Sequence, residues 1–266
     1  MTEKGDPVLT RRPRVNPYFI AADMARLRIL WDLSWKSWIS RRRLNCQKDK
    51  HSGGKAVILC NGPSLLKVDF ESLKNVFCFG LNKVNLLFER TPFRPNCVVA
   101  VNPLVLEQNR QFYNETELPL FLDSTCSSFI KFRKNVIFIH SWPGLRFAKD
   151  CSFSVAQGYT VTYVALQLAY HMGFRDIALV GCDHNFAVKG PPNMEVEAKS
   201  VDASHFDPNY FSGNSRWHLP DLAGSEFFYD LAGRYFASNN GRIVNATVGG
   251  KLELFQRLEL EEWLEQ

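Results

Sequence analysis

Seven short apolar runs divide the chain from Lys55 onward, and they constrain the fold more than any other feature. Runs that are apolar throughout are typical of strands buried on both faces of a parallel sheet. They cover residues 56–60, 76–81, 97–101, 118–122, 135–139, 177–182 and 242–246. Helical patterns lie between them, near residues 66–74, 83–90, 104–112, 157–173 and 223–238. This alternation predicts an α/β fold with a Rossmann-like, doubly wound and mostly parallel sheet.

The chain before this alternation has a different character, so we expect a basic N-terminal helix and linker over 1–54 and the sheet domain over 55–266. Residues 1–55 carry a net charge of +8, which leaves −3 for the remainder and argues against a nucleic-acid partner. Asn16-Pro17 is a helix-start signal. An amphipathic helix follows, in which Trp residues and basic residues share 17–43. Its apolar stripe fits either protein packing or peripheral contact with an anionic membrane.

Compartment and redox state follow from what the sequence lacks. No apolar run is long enough to cross a bilayer, and the first fourteen residues have no apolar core of a secretion signal. The seven cysteines are scattered without a CxxC pair, as in reduced thiols of a cytosolic protein. We therefore expect a cytoplasmic protein, with the inner face of the membrane as a candidate location.

A polar residue follows each of the first six apolar runs. In an open α/β sheet, ligands bind outside the carboxyl ends of the strands. These residues are Asn61, Asn82, Asn102, Asp123, His140 and Asp183. Neutral amides suit the recognition of a nucleobase or a sugar, because they both donate and accept hydrogen bonds. The alternative is that Asn and Asp are simply good turn residues.

Two glycine turns before helices are candidate phosphate sites. In Asn61-Gly62-Pro63-Ser64, Gly62 permits close backbone approach and Ser64 can cap the next helix. Gln157-Gly158 precedes the long apolar helix in the same way. Neither a GxGxxG nor a GxxxxGK[ST] motif occurs, so classical NAD and ATP motifs are absent.

A long polar stretch, about 184–221, is expected to be a lid. It contains three histidines that could act as a general base, His184, His205 and His218, and also Tyr210. The histidine spacings match no standard zinc pattern, so no metal site is predicted there.

Several motifs of the chain resemble those of two related families. The motifs are the strand and turn Ile58–Leu65, Asn102-Pro103, Leu179–Asp183, His205–Phe211 with Trp217-His218, and Asn245–Thr247 with Gly249–Leu252. The chain resembles bacterial CMP-sialate-dependent sialyltransferases, and resembles still more the 6-hydroxymethylpterin diphosphokinase-like (MptE-like) family, whose bacterial members often accompany surface-polysaccharide genes. The resemblance covers about residues 55–257.

The sialyltransferase resemblance implies a metal-independent, cofactor-free transfer of a sugar from a nucleotide donor, with a CMP-sugar favoured, to a glycan or small-molecule acceptor. A lid histidine would be the base, His218 first and His205 second. Sialyltransferases place tyrosines after the sixth strand; here His184 follows Asp183, so His184 or Tyr210 would have to assist the leaving group. Residues implied in nucleotide and donor binding are Asn61, Gly62, Pro63, Ser64, Asn82, Asn102, Gln157, Gly158, Asp183 and Tyr210.

Two alternatives stay open at this stage. The MptE-like resemblance implies pyrophosphoryl transfer from ATP to a pterin-like alcohol, which needs Mg²⁺ held by carboxylates, with Asp123 and Asp183 as the strand-end candidates. The other is an inactive nucleotide-sugar-binding module tethered to a membrane-bound glycan machine by the Trp/Arg helix. The sequence leaves the oligomeric state open.

Overall fold

The computed structural model describes residues 16–185, 190–197, 202, 204–211 and 215–266. It divides into two compact units, Met1–Trp35 and Lys36–Gln266. The first unit contains helix α1, Pro17–Leu33. Asn16 caps it as the sequence predicts, because its side chain accepts the N–H of Tyr18 at 3.0 Å.

Twelve strands are present among the described residues of the second unit. They are β1 Lys55–Leu59, β2 Phe77–Leu81, β3 Cys97–Ala100, β4 Leu120–Asp123, β5 Val136–Ile139, β6 Ser141–Trp142, β7 Val155–Ala156, β8 Asp176–Val180, β9 Glu195–Glu197, β10 Arg216–His218, β11 Arg242–Asn245 and β12 Gln256–Arg257. Eight form one sheet in the order β12-β11-β8-β1-β2-β3-β4-β5, and every pairing in it is parallel. This confirms the predicted Rossmann-like sheet.

Helices and short 3₁₀ turns connect these strands. The remaining α-helices are α2 Trp35–Asn45, α3 Pro103–Gln108, α4 Arg110–Glu115, α5 Val161–His171, α6 Leu222–Ala237 and α7 Leu260–Glu265. Two predicted helices, near 66–74 and 83–90, are instead 3₁₀ turns at Pro63–Lys67 and Val84–Glu89. No helix in the described part of the chain is both long enough and apolar enough to cross a bilayer.

The core lies on both faces of the sheet. Helix α5 is buried along its whole length on one face, where Val164 and Leu168 join Ile58 of β1. On the other face Leu59 clusters with Trp263 of α7. All seven cysteines are free thiols, and six of them are buried. The two-sided burial explains why the strand sequences are apolar without alternation.

The predicted N-terminal stripe does not run through one helix, because the chain breaks at Ser34 between α1 and α2. In α2 two basic side chains hold backbone carbonyls of the main unit. Lys36 Nζ donates to Ser127 O at 2.6 Å, and Arg43 Nη1 donates to Arg133 O and Val136 O at 2.7 and 2.6 Å. Part of the basic run therefore serves the fold.

The stretch 46–54, predicted to be a flexible linker, forms turns fastened to the end of α5. Backbone N–H groups of Asp49, His51 and Gly53 donate to carbonyls of 171–173 at 3.0, 2.8 and 2.9 Å. The sequence placed a boundary at 54/55 because this stretch is polar and contains two glycines. The division between the compact units falls earlier, after Trp35.

Arg43 and its neighbour Arg42 provide a matched test of this anchoring. We expect Arg43→Met to lower the free energy of unfolding by about 1–3 kcal/mol, since it strips two carbonyls of a charged donor. Arg42→Met, at an exposed position, should change it by less than about 0.5 kcal/mol. Urea denaturation of both variants measures the difference; equal effects would show that the two carbonyl contacts contribute nothing.

Candidate functional site

The carboxyl ends of the parallel strands form one edge of the sheet, here called the rim. Along it the six predicted strand-end residues lie in the order Asp183, Asn61, Asn82, Asn102, Asp123, His140. Strands β1 and β8 are neighbours, yet the chain leaves them toward opposite sides of the sheet, and this switch point is where doubly wound sheets bind ligands. The structure therefore brings the predicted residues to one edge.

The turn after β1 is closed by a carboxylate from the turn after β8. Asp183 Oδ2 accepts the hydroxyl of Ser64 at 2.7 Å and its backbone N–H at 3.2 Å. The backbone N–H of Gly62 donates to Gly181 O at 2.9 Å. The phosphate expected at Ser64 would meet this negative charge, so the geometry disfavours an anion at the first turn. Pro63, also predicted to bind the nucleotide, begins the 3₁₀ turn.

Two rim amides have buried oxygens without partners. Among the described residues, no group donates a hydrogen bond to Asn61 Oδ1 or Asn82 Oδ1. The hydroxyl of Tyr210, a residue that is 1% exposed, lies beside the side chain of Asn82, and no group in the described part of the chain meets it with full hydrogen-bond geometry. Orphaned polar atoms in a protein interior are costly, and they commonly mark a place that a ligand completes.

The two carboxylates considered for Mg²⁺ are far apart and already engaged. Strands β8 and β4 are four positions apart in the sheet, which separates their ends by about 19 Å at the usual strand spacing. Asp123 accepts the N–H of Thr125 at 2.8 Å and the hydroxyl of Ser141. Burial raises the pKa of Asp123, and these hydrogen bonds lower it less. Asp123 and Asp183 therefore cannot ligate one magnesium ion.

Three other predicted residues serve local structure. Asn102 caps α3, because its Oδ1 accepts the N–H of Leu104 at 2.9 Å. Gln157 Nε2 donates to Ser141 Oγ at 2.8 Å, which places Gln157 beside the end of β4 rather than beside Asn61. Gly158 has φ +58°, and a Cβ there would lie 2.3 Å from the ring of Tyr163. Asn102 and Gln157 thus lie at the rim, where the side-chain oxygen of Asn102 and the side-chain nitrogen of Gln157 already have hydrogen-bond partners.

Segment 204–211 covers the rim at β1, and it contains a histidine that is paired with a carboxylate. The N–H of Phe206 donates to Asn61 O at 2.9 Å. His205 Nδ1 lies 2.8 Å from Asp202 Oδ2, and the imidazole stacks on the ring of Tyr210 at 4.0 Å with 4° between the planes. Burial alone would raise the pKa of Asp202, but the hydrogen bond and charge of His205 lower it below its ordinary value.

The other two candidate histidines are placed differently. His218 lies on β10, its side chain is 41% exposed, and Nε2 is 3.7 Å from Glu195 Oε2 across the hairpin. His184 follows β8 with φ +52°, and its Nε2 lies 2.9 Å from Glu226 Oε1 of α6. Of His205 and His218, His205 is the more enclosed and has a carboxylate at hydrogen-bond distance, whereas His218 is the more exposed.

The predicted lid is only partly a loop. Strands β9 and β10 within it form an antiparallel hairpin, in which Trp217 is buried and stacks on Phe211 at 5.1 Å. Alternation along β10 therefore turns His218 away from the cluster that Trp217 enters. Parts of the 184–221 prediction, at 186–189, 198–201, 203 and 212–214, lie outside the described residues.

Sequence reasoning missed two residues of this site. Lys83 follows Asn82 directly and is 8% exposed; burial lowers its pKa to about 8, although the charge of Asp202 opposes this. Asp202 orients His205 from three positions earlier in the chain. The spacing D-x-x-H and a basic residue at a strand end were the available signals, and both are common in loops.

Gly62 makes the closed first turn testable. A Cβ at Gly62 would lie 1.9 Å from Asp183 Oδ2 and 2.6 Å from Gly181 O, so Gly62→Ala must displace one of them. We expect a loss of about 1–3 kcal/mol in the free energy of unfolding by urea. The control is Gly233→Ala inside α6, where the nearest contact is 3.3 Å and alanine favours the helix; it should be neutral or stabilising. An unchanged stability in Gly62→Ala would contradict the closed turn.

Comparisons with known proteins place the chain in one family. The structure of MAf glycosyltransferase from Magnetospirillum magneticum AMB-1 is similar at a TM-score of 0.49 and 16% sequence identity, covering 85% of this chain and 39% of that one. This chain therefore spans about two fifths of that protein's length. No curated protein matches the chain. The family model for 6-hydroxymethylpterin diphosphokinase MptE-like proteins matches residues 36–189, which is more than half of the chain. The resemblance to the MptE-like family seen in the sequence is thus confirmed, and the chain belongs to that family.

Proposed function

We propose that the protein is a transferase that takes a sugar from a nucleotide donor, with a CMP-sugar favoured, and passes it to a hydroxyl of a glycan or small molecule in the cytoplasm. One observation carries the proposal: His205, which is paired with Asp202, lies in the segment that covers the rim, and the rim has two unpartnered amide oxygens. A transferase for a hydroxyl acceptor needs both a cradle for the donor and a base for the acceptor.

The donor cradle is argued from the orphaned atoms. Asn61 Oδ1 and Asn82 Oδ1 are buried acceptors on adjacent strands, so a ligand that supplies two hydrogen-bond donors would remove their cost. The amino group of a cytosine and the hydroxyls of a ribose or sugar are donors of this kind. The hydroxyl of Tyr210 can serve as a third contact, because a phenol both donates and accepts.

The chemical step is assigned to His205. With Nδ1–H donating to Asp202, the neutral imidazole carries its lone pair on Nε2. Nε2 would take the proton of the acceptor hydroxyl as that oxygen attacks the donor carbon. The new carbon–oxygen bond forms while the bond to the phosphate oxygen breaks, and the nucleotide leaves with the electron pair. Asp202 stabilises the imidazolium that results.

His184 is proposed to assist the departing phosphate. It lies at the end of β8, beside the switch point, and Glu226 holds its Nε2 at 2.9 Å. A protonated imidazole there would offset the charge that develops on the leaving group. The proposal involves no metal or other cofactor, and the separation of Asp123 from Asp183 supports leaving them out of a metal role.

Nucleotide binding tests the cradle. In thermal-shift measurements we expect CMP to raise the Tm without Mg²⁺. At a CMP concentration about one hundred times the Kd, the free energy of unfolding should increase by about 2.7 kcal/mol. Asn82→Gly removes the amide but tolerates the φ of +49° at this position, and it should abolish the shift. Asn240→Gly is the matched control, since Asn240 has φ +55° and lies away from the rim, before β11; its response to CMP should be normal.

The histidine assignment has its own matched control. His205→Gln should lower the release of CMP from CMP-sialate by about 10²–10⁴-fold, as expected for the loss of a general base, while CMP affinity stays nearly unchanged. His218→Gln, on the exposed hairpin strand, should release CMP at the normal rate. A normal rate in His205→Gln, or a loss of the same size in His218→Gln, would remove His205 as the base.

A second candidate function follows from the family that the chain belongs to. The description of that family names a 6-hydroxymethylpterin diphosphokinase, so pyrophosphoryl transfer from ATP is the alternative reaction. A Tm shift with Mg-ATP and none with CMP would favour it over sugar transfer. If CMP binds but the protein neither releases CMP from CMP-sialate nor transfers the sugar, the chain is an inactive binding module.

A further inference from the structure

A buried lysine connects the rim to the segment that covers it. Lys83 Nζ donates to the backbone oxygen of Tyr210 at 2.6 Å and to Gln108 Oε1 of α3 at 2.8 Å. We propose that Lys83 is a positioning residue that holds segment 204–211 closed over the rim and thereby holds His205 in place. The catalytic meaning of this role rests on the proposed function, whereas the closure itself does not.

Lys83 reaches both described parts of the cover. Gln108, which accepts from Lys83, donates through Nε2 to the backbone oxygen of Arg216 in β10 at 2.8 Å. One ammonium group therefore links segment 204–211 directly and the β9–β10 hairpin through a single amide. Arg90 adds a second contact with the same segment, a salt bridge from Nη2 to Asp207 Oδ2 at 2.8 Å. All of these ties start from residues 83–108, between β2 and the end of α3.

The connection extends to the imidazole through aromatic packing. Lys83 Nζ lies 4.9 Å from the ring centroid of Phe211 and 5.5 Å from that of Tyr210. The Tyr210 ring in turn stacks on His205. Lys83 thus fixes the backbone of Tyr210, and the Tyr210 ring packs against His205, the candidate base. Loss of this contact would let Tyr210 and His205 move together.

The charge of Lys83 makes the closure reversible. Its ammonium is buried, and both of its hydrogen-bond acceptors are neutral groups; the charge of Asp202 acts on it from a distance. Burying the charge opposes closure, while two charge-assisted hydrogen bonds and two aromatic contacts favour it. Opposing contributions of this kind suit a cover that must open to exchange a ligand.

Hydrogen exchange measured by mass spectrometry tests the latch on the ligand-free protein. Lys83→Met keeps the length of the side chain but cannot donate, so amides of 204–211 should exchange about tenfold faster or more, as expected when a charged hydrogen bond is lost. Amides of β1 and β8 should keep their protection. Lys74→Met is the control, because Lys74 is an exposed lysine paired only with Glu71 in the described structure; it should leave the exchange of 204–211 unchanged.

Two further variants keep the proposal falsifiable if Lys83→Met loosens the whole sheet. Gln108→Ala changes an exposed residue, and it should speed exchange in both 204–211 and the β9–β10 hairpin, whereas Gln111→Ala on the neighbouring helix should not. Lys83→Arg retains the charge and the donors and should restore part of the protection. Wild-type exchange of 204–211 in Gln108→Ala, or equal exchange in Lys83→Arg and Lys83→Met, would overturn the latch.

The result is separable from the transferase proposal. Faster exchange of 204–211 without any CMP binding would support the latch and reject the sugar-donor function. Normal exchange in Lys83→Met together with CMP binding would do the reverse. If both hold, Lys83→Met should lower the release rate of CMP from CMP-sialate more than it lowers CMP affinity, because His205 is displaced while Asn61 and Asn82 remain on their strands.

Discussion

The pairing of β1 with β8 is the constraint on which the site depends. Backbone bonds continue this pairing past the ends of the strands, from Cys60 N–H to Val180 O and from Gly62 N–H to Gly181 O. The approach is so close that a Cβ on Gly181 would lie 2.8 Å from Cys60 O, and Gly181 has φ +68°. The chain can make this junction only with glycine on both sides. Because of it, Asp183 reaches Ser64, and the loops after the two central strands behave as one structure.

The cover is built on that junction by polar contacts rather than by a large apolar interface alone. The carbonyl of Asn61 accepts from Phe206, Arg90 pairs with the adjacent Asp207, and Lys83 holds the far end of the same segment at Tyr210. Asn61 and Lys83 closely follow strands β1 and β2, and Arg90 follows the 3₁₀ turn Val84–Glu89. The same part of the chain thus forms the rim and attaches the segment that covers it.

The fold could be predicted from the sequence because the pattern is local. Runs such as 56–60 and 177–182 are apolar at every position, and only strands buried on both faces require this. The rim residues could be predicted for the same reason, since parallel strands bring all of their carboxyl ends to one edge. The partners of these residues could not. That Asp183 binds Ser64 depends on bringing together two segments that lie 119 positions apart in the sequence, whereas the cap that Asn102 forms with Leu104 is local. The exposure of His218 could not be predicted either, because alternation along a short strand decides which side chain faces inward.

The family match covers only part of the region around the rim. Asn61, Asn82 and Lys83 lie within the matched residues 36–189, whereas Asp202 and His205 lie beyond them. The rim and the segment that covers it are joined by a few hydrogen bonds between stretches far apart in the sequence. Any segment that replaced 204–211 would have to offer a carbonyl to Lys83 and a carboxylate to Arg90 in order to lie against this sheet in the same way.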